Sequence, residues 1–145
     1  MLRLDEFQAY VESLFRQNVA TVAPDVPIRW PNTLFVPPND SLFVEWRLLP
    51  EQGFSASMGR TQTVRQVGGI QVDILSPLNS GTRKASTLAD KLMRPFSGAQ
   101  YLVSHGHSVT FREPSSRPGQ EANNHERLIF RVPYWRDVRR ERDVA

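Results

Sequence analysis

GIQVDILSPLNSGTRKASTLADKLMRPF, residues 69–96, is the stretch whose reading decides the fold. Ile70, Val72 and Ile74 alternate with Gln71 and Asp73, a period of two that puts one apolar row on one face of a strand. Pro77-Leu78-Asn79 marks a turn. Ser80 can cap a helix in which Ala85, Leu88, Ala89, Leu92 and Phe96 recur at three- and four-residue spacing and form one stripe. The expected unit is a helix laid across a sheet. Arg83, Lys84, Asp90, Lys91 and Arg94 fall mainly on the other side of that helix, toward water or a neighbouring subunit.

Toward the N-terminus, Leu4, Phe7, Val11, Leu14 and Phe15 repeat at helical spacing, and Asp5 with Glu6 complements a helix start. This predicts a helix from about Leu4 to Asn18, ended by the β-branched and proline-bearing run Val19–Pro24. Pro24, Pro27, Pro31, Pro37 and Pro38 then leave room only for short extended pieces or edge strands at Ile28-Arg29-Trp30 and Thr33–Val36. Leu42, Val44, Trp46 and Leu48 alternate with Phe43, Glu45 and Arg47 as the first long strand. Between Pro50 and Gly69 the apolar content falls, which fits a mobile loop or an extended hairpin. Thr61–Arg65 favours a long strand running into Ile70.

Toward the C-terminus, Ser108–Arg112 reads as a strand and Pro114–Asn124 as a polar connection with Pro118-Gly119 as its turn. The last strand is expected from about Arg127 to Trp135, with Leu128, Phe130, Val132 and Tyr134 on one face. The expected fold is a single α+β domain over residues 1–145. It is an antiparallel sheet of about four long strands with two helices packed on one face, plus a long β-hairpin or loop.

With 145 residues the chain can enclose a core without disulfides or a structural metal, and the absence of cysteine excludes thiolate ligands and nucleophiles. No apolar run approaches the roughly 20 residues of a membrane span. Met1-Leu2-Arg3-Leu4-Asp5-Glu6 turns acidic where a signal peptide would become apolar. A soluble protein that stays where it is made, unless exported with a larger assembly, is the expectation. The net charge is +3, and the pI near 9.8 rests on arginine, since Lys84 and Lys91 are the only lysines. These charges are interleaved with acids, as in Arg136–Asp143, whereas a nucleic-acid footprint is one-signed. Neither a membrane nor a specific nucleic-acid partner is expected.

Candidate chemistry is sparse. Gly53-Phe54-Ser55-Ala56-Ser57 nears a nucleophile elbow but ends on serine where the tight turn needs glycine. His105-Gly106-His107, with His125, could supply imidazoles to a metal, yet its glycine and serine neighbours suggest an exposed turn with no clear carboxylate partner. Asn79–Lys84 opens a helix that could hold an anion, without the spacing of a phosphate loop. No catalytic, cofactor-binding or metal-ligating set is expected, and no cofactor. Trp46 shares a strand face with apolar neighbours and reads as core. Trp30 and Trp135 lie beside prolines or charges and read as edge or interface residues.

The order of these segments resembles the tail terminator (tail completion) proteins of long-tailed bacteriophages and prophages. The likeness is carried by the N-terminal helix, by Ile28-Arg29-Trp30-Pro31-Asn32 with Phe35-Val36-Pro37-Pro38, and by the strand from Leu42 to Leu49 before Pro50. It is completed by Gly69–Ile74 leading through Ser80-Gly81 to Ala85, Leu88-Ala89-Asp90 and Phe96. The resemblance implies a virion structural protein without catalysis. Copies would form a homo-oligomeric ring, of six members in the family, that caps the tail tube at its neck end after assembly in the host cytoplasm. Such a ring ends polymerisation of the major tail tube protein and offers the docking surface for the head connector. Candidate ring contacts are Arg60 and Arg65 on the hairpin and Arg83, Lys84 and Lys91 on the outer helix face; each also reads as ordinary solvated charge. The alternatives are a head–tail joining (head-completion) protein of the neck and, more remotely, a nucleic-acid-binding module.

Overall fold

A computed structural model describes residues 3–55, 61–104, 107–122 and 124–141. Helix α1 spans Leu4–Val22 and helix α2 spans Arg83–Met93. The strands are β1 (Ile28–Arg29), β2 (Phe43–Leu48), β3 (Gln52–Ser55), β4 (Thr61–Pro77), β5 (Gln100–Ser104), β6 (His107–Phe111), β7 (Ser115–Pro118) and β8 (His125–Glu141). They form one eight-stranded sheet in the order β1-β2-β4-β8-β6-β5, with β3 on β4 and β7 on β8.

This corrects the expectation of about four antiparallel strands. Eight pair, and the sheet is mixed because β1 runs parallel to β2. The extra strands are short ones without an apolar alternation of their own. All four residues of β3 and of β7 are exposed, and they are extended because a long neighbour offers backbone partners.

The framework is the antiparallel pair β4–β8, in register from Thr61↔Glu141 to Pro77↔His125. At about 3.4 Å per residue each strand runs more than 50 Å. Each is flanked by two short strands end to end. On β4 these are β2 and β3. On β8 they are β7, which pairs up to Arg131, and β6, which pairs from Tyr134. Pro133 sits in the break between β7 and β6, where its carbonyl accepts from the Arg112 amide and its missing N–H leaves no ladder bond unmade.

Paired residues share a face, so Val44, Ile74 and Leu128 form one rung and Trp46, Val72 and Phe130 the next. Both helices cover these rungs. Phe7, Val11, Phe15 and Val19 recur every fourth residue along α1, and Ala85, Leu88, Ala89 and Leu92 line α2; all are buried in one core with the sheet. Burying a phenylalanine or leucine stabilises by about 1.5–3 kcal/mol. That explains why α1 continues past Asn18 to Val22 despite its β-branched residues: Val19 is buried there, and packing outweighs a few tenths of helix propensity.

Other boundaries differ from the sequence reading: α2 ends at Met93, so Phe96 is buried from the turn beyond the helix and not from the helix itself. Helix α2 is preceded by Thr82, with no side-chain cap, while the Ser80 hydroxyl donates to the Pro77 carbonyl (2.5 Å) and closes the turn in which Asn79 takes φ 64°. Strand β8 starts at His125 and runs on through the charged segment to Glu141, six residues beyond Trp135, because β4 pairs with it throughout.

Candidate interaction surfaces

The face turned away from the helices carries two different surfaces. On its first half the rung Arg29–Glu45–Asp73 crosses β1, β2 and β4, and Arg47–Gln71–Arg131 is a neighbouring rung. Arg29 Nη1 lies 3.2 Å from Glu45 Oε1, and Arg127 Nη1 lies 3.1 Å from Glu45 Oε2 while also donating to Asp73. Gln71 Nε2 donates to Asp73 Oδ1 (3.0 Å) and its Oε1 accepts from Arg131 Nε (2.9 Å). Burial disfavours a charged Arg127, but its hydrogen bonds and attraction to Asp73 and Glu45 outweigh that and raise its pKa. An open cleft of about 740 Å³ lies over this network, walled by residues 30–34.

Thr33, Leu34 and Val36 are exposed and Phe35 is half-buried. Phe35 turns inward onto Phe43 (ring centroids 5.3 Å apart), which in turn meets the buried ring of His125. Leu34 and Val36, on the opposite side, are 105% and 89% exposed.

The second half of the outer face belongs to the ribbon of β3, β4 and β8. Arg65 grips Asp137 through Nε (2.9 Å) and Nη2 (3.1 Å) and stacks on Trp135 at 3.9 Å. Phe54 pairs with Arg65 across the strands, and Val67 with Trp135; Phe54 and Val67 are both exposed.

Where the ribbon leaves the core, Glu51 is held from the other side of the sheet. Tyr134 Oη donates to its Oε2 (2.5 Å), and Arg136 reaches both oxygens at 2.8 and 2.7 Å. Desolvation pushes Glu51 upward, yet the Arg136 and Tyr134 hydrogen bonds prevail and its pKa is lowered. Burial, then the bond to Glu51, raises that of Tyr134. The Arg136 guanidinium also lies 4.8 Å over the Phe7 ring, tying the ribbon to α1. Gly68 makes this possible: a Cβ there would stand 2.8 Å from Tyr134 Oη. Gly68→Ala is expected to destabilise by about 1–3 kcal/mol, read as a lowered midpoint in urea unfolding.

The residues singled out from the sequence do not converge. Arg65 is on the outer ribbon face and bound within its own chain. Arg83, Lys84 and Lys91 are exposed on α2, on the opposite side of the sheet, and Arg60 lies outside the described residues. Trp46 is core; Trp30 is half-buried against Phe15 and Trp46 beneath Arg16, and Trp135 is half-buried under Arg65. His125 is buried with Nε2 2.9 Å from the Ser41 carbonyl, His107 begins β6, and His105 lies outside the described residues. Among the described residues no three histidines, aspartates or glutamates are grouped to hold a metal. Gly53–Ser55 of the elbow-like run are in β3; Ala56 and Ser57 lie outside the described residues.

Two clusters escaped the sequence reading, the Glu45–Asp73–Arg127 network and the Glu51–Tyr134–Arg136 junction. A signal was present for the first: Asp73 sits inside the apolar run 70–75, where a buried carboxylate demands a cationic partner.

Among known proteins, the family described as phage tail terminator protein matches residues 9–134. One solved structure, whose name carries no statement of function, covers 99% of this chain and 100% of its own at 22% identity, with a TM-score of 0.68. A chain from the virion of a native gene transfer agent particle covers 90% of this chain and 97% of its own at 14% identity, with a TM-score of 0.58. At these identities both similarities show the fold alone. No curated protein matches.

Proposed function

The chain belongs to the phage tail terminator family, which makes it a structural protein of the virion tail, and from that premise we propose that copies of it close into a ring on the finished tail tube. The ring ends tube polymerisation and presents the surface on which the head connector docks; six subunits are the number the family resemblance suggests. The match over residues 9–134, from inside α1 to Tyr134 in β8, carries this reading.

The surfaces support it physically. Closing a ring takes a heterologous contact, in which two different patches of one subunit meet their counterparts on the next two copies. The apolar segment at Leu34 and Val36, beside the β1 edge, and the aromatic-arginine ribbon face at Phe54, Arg65 and Trp135 are two such patches at opposite ends of the sheet. Arg60, Arg83, Lys84 and Lys91 are further candidates for charged contacts. The role proposed for the chain is assembly, with no catalytic step.

Purified protein added to polymerising tail-tube subunits is expected to give short capped tubes of narrow length distribution in electron micrographs. Tubes of undiminished length at equimolar protein would overturn the capping role, and binding to connector but not to tubes would assign the chain to the neck instead.

A further inference from the structure

We propose that the arginine-rich half of the outer sheet face docks an acidic, carboxylate-bearing segment of another virion protein. The charge balance there is uneven. Among the described residues, the rungs of β1, β2, β4, β7 and β8 place Arg29, Arg47, Arg117, Arg127 and Arg131 on this face against Glu45 and Asp73, five cations to two anions. Both carboxylates are already engaged, Glu45 by Arg29 and Arg127 and Asp73 by Arg127 and Gln71.

Three exposed guanidiniums therefore lack an acid among the described residues. Arg47 and Arg117 have no hydrogen-bonding or ionic partner among the described residues, and Arg131 meets only the Gln71 amide oxygen. Arg47 and Arg131 flank Gln71 on one rung, roughly 10 Å apart across two strand spacings. Their planar forks suit bidentate pairing with carboxylates. The cleft over the adjoining rung, walled by residues 30–34, gives an extended chain a channel leading to them.

Charge complementarity thus selects an anionic occupant, and the form of the face selects a peptide. A nucleic-acid backbone needs a continuous one-signed stripe, whereas here a rung bearing Glu45 and Asp73 interrupts the arginines. Spaced carboxylates can meet Arg47 and Arg131 and avoid that rung. The inference rests on the chain's place in the virion and not on ring closure, so it can hold where tube capping fails, and the reverse.

The test uses the full chain and a fluorescein-labelled hexaglutamate peptide, followed by anisotropy at low salt. The Arg47→Gln/Arg131→Gln variant is expected to bind about tenfold more weakly or worse, while Arg83→Gln/Lys84→Gln on α2 changes binding less than about twofold. All four side chains are exposed, so unchanged melting curves verify folding. Equal losses in both variants, or hexaglutamate binding no better than hexaglutamine, would overturn the proposal. A light-scattering mass that falls only in the Arg47/Arg131 variant would assign the face to a second copy instead. A DNA 12-mer that outcompetes hexaglutamate at these arginines would assign it to nucleic acid.

Discussion

Replacing Glu51 with alanine is expected to destabilise the protein by about 3–5 kcal/mol, because it takes from the buried Arg136 guanidinium a carboxylate held at 2.7 Å. The same change removes the acceptor of the Tyr134 hydroxyl, itself buried beside Phe7. Urea unfolding read by tryptophan fluorescence would measure the loss. A cost below about 1 kcal/mol would mean that the junction is solvated and its charges individually screened.

The pH dependence has a determined sign. Glu51 is more acidic folded than unfolded, so its contribution is complete above the ordinary carboxylate range near about 4.3 and is lost as pH falls through the lowered folded value. Tyr134 is shifted upward, so its contribution is complete below about 10 and is lost as pH rises beyond that, where the unfolded phenol ionises first. Glu51→Gln should flatten the acid limb of stability against pH. An acid limb identical to wild type would show that other carboxylates govern it.

Phe15→Ala is the second large effect, also about 3–5 kcal/mol. Phe15 is fully buried in α1, with its ring 4.7 Å from Trp46 and 6.2 Å from Trp30, so truncation opens a void between the helix and β2. Its neighbour Arg16 stacks on Trp30 from outside, and Arg16→Ala should cost only about 0.5–1 kcal/mol. Thermal unfolding by circular dichroism separates the two. Comparable losses would mean that the aromatic cluster is held from the surface and not from within.

How much of this was legible in the residues depended on whether a segment carries its own periodicity. Along β4, Ile70, Val72 and Ile74 announce a strand whatever lies beside them, and Phe7, Val11 and Phe15 announce a helix. The candidate surfaces were legible only in part. Trp46 could be assigned to the core from its alternation with Val44 and Leu48, but nothing local to Arg65 shows that Asp137, 72 residues away, binds it.

By itself, the sequence determined the two helices, the two long core strands with their inward faces, and the family, because these depend on side-chain spacing within a segment. Tertiary structure decided that β3 and β7 exist, that β1 runs parallel to β2, and that the charged residues after Trp135 extend β8 to Glu141. It also decided which arginines are spent on Glu45, Asp73, Glu51 and Asp137. Backbone pairing and ion pairing join residues far apart along the chain, and neither leaves a local period to read.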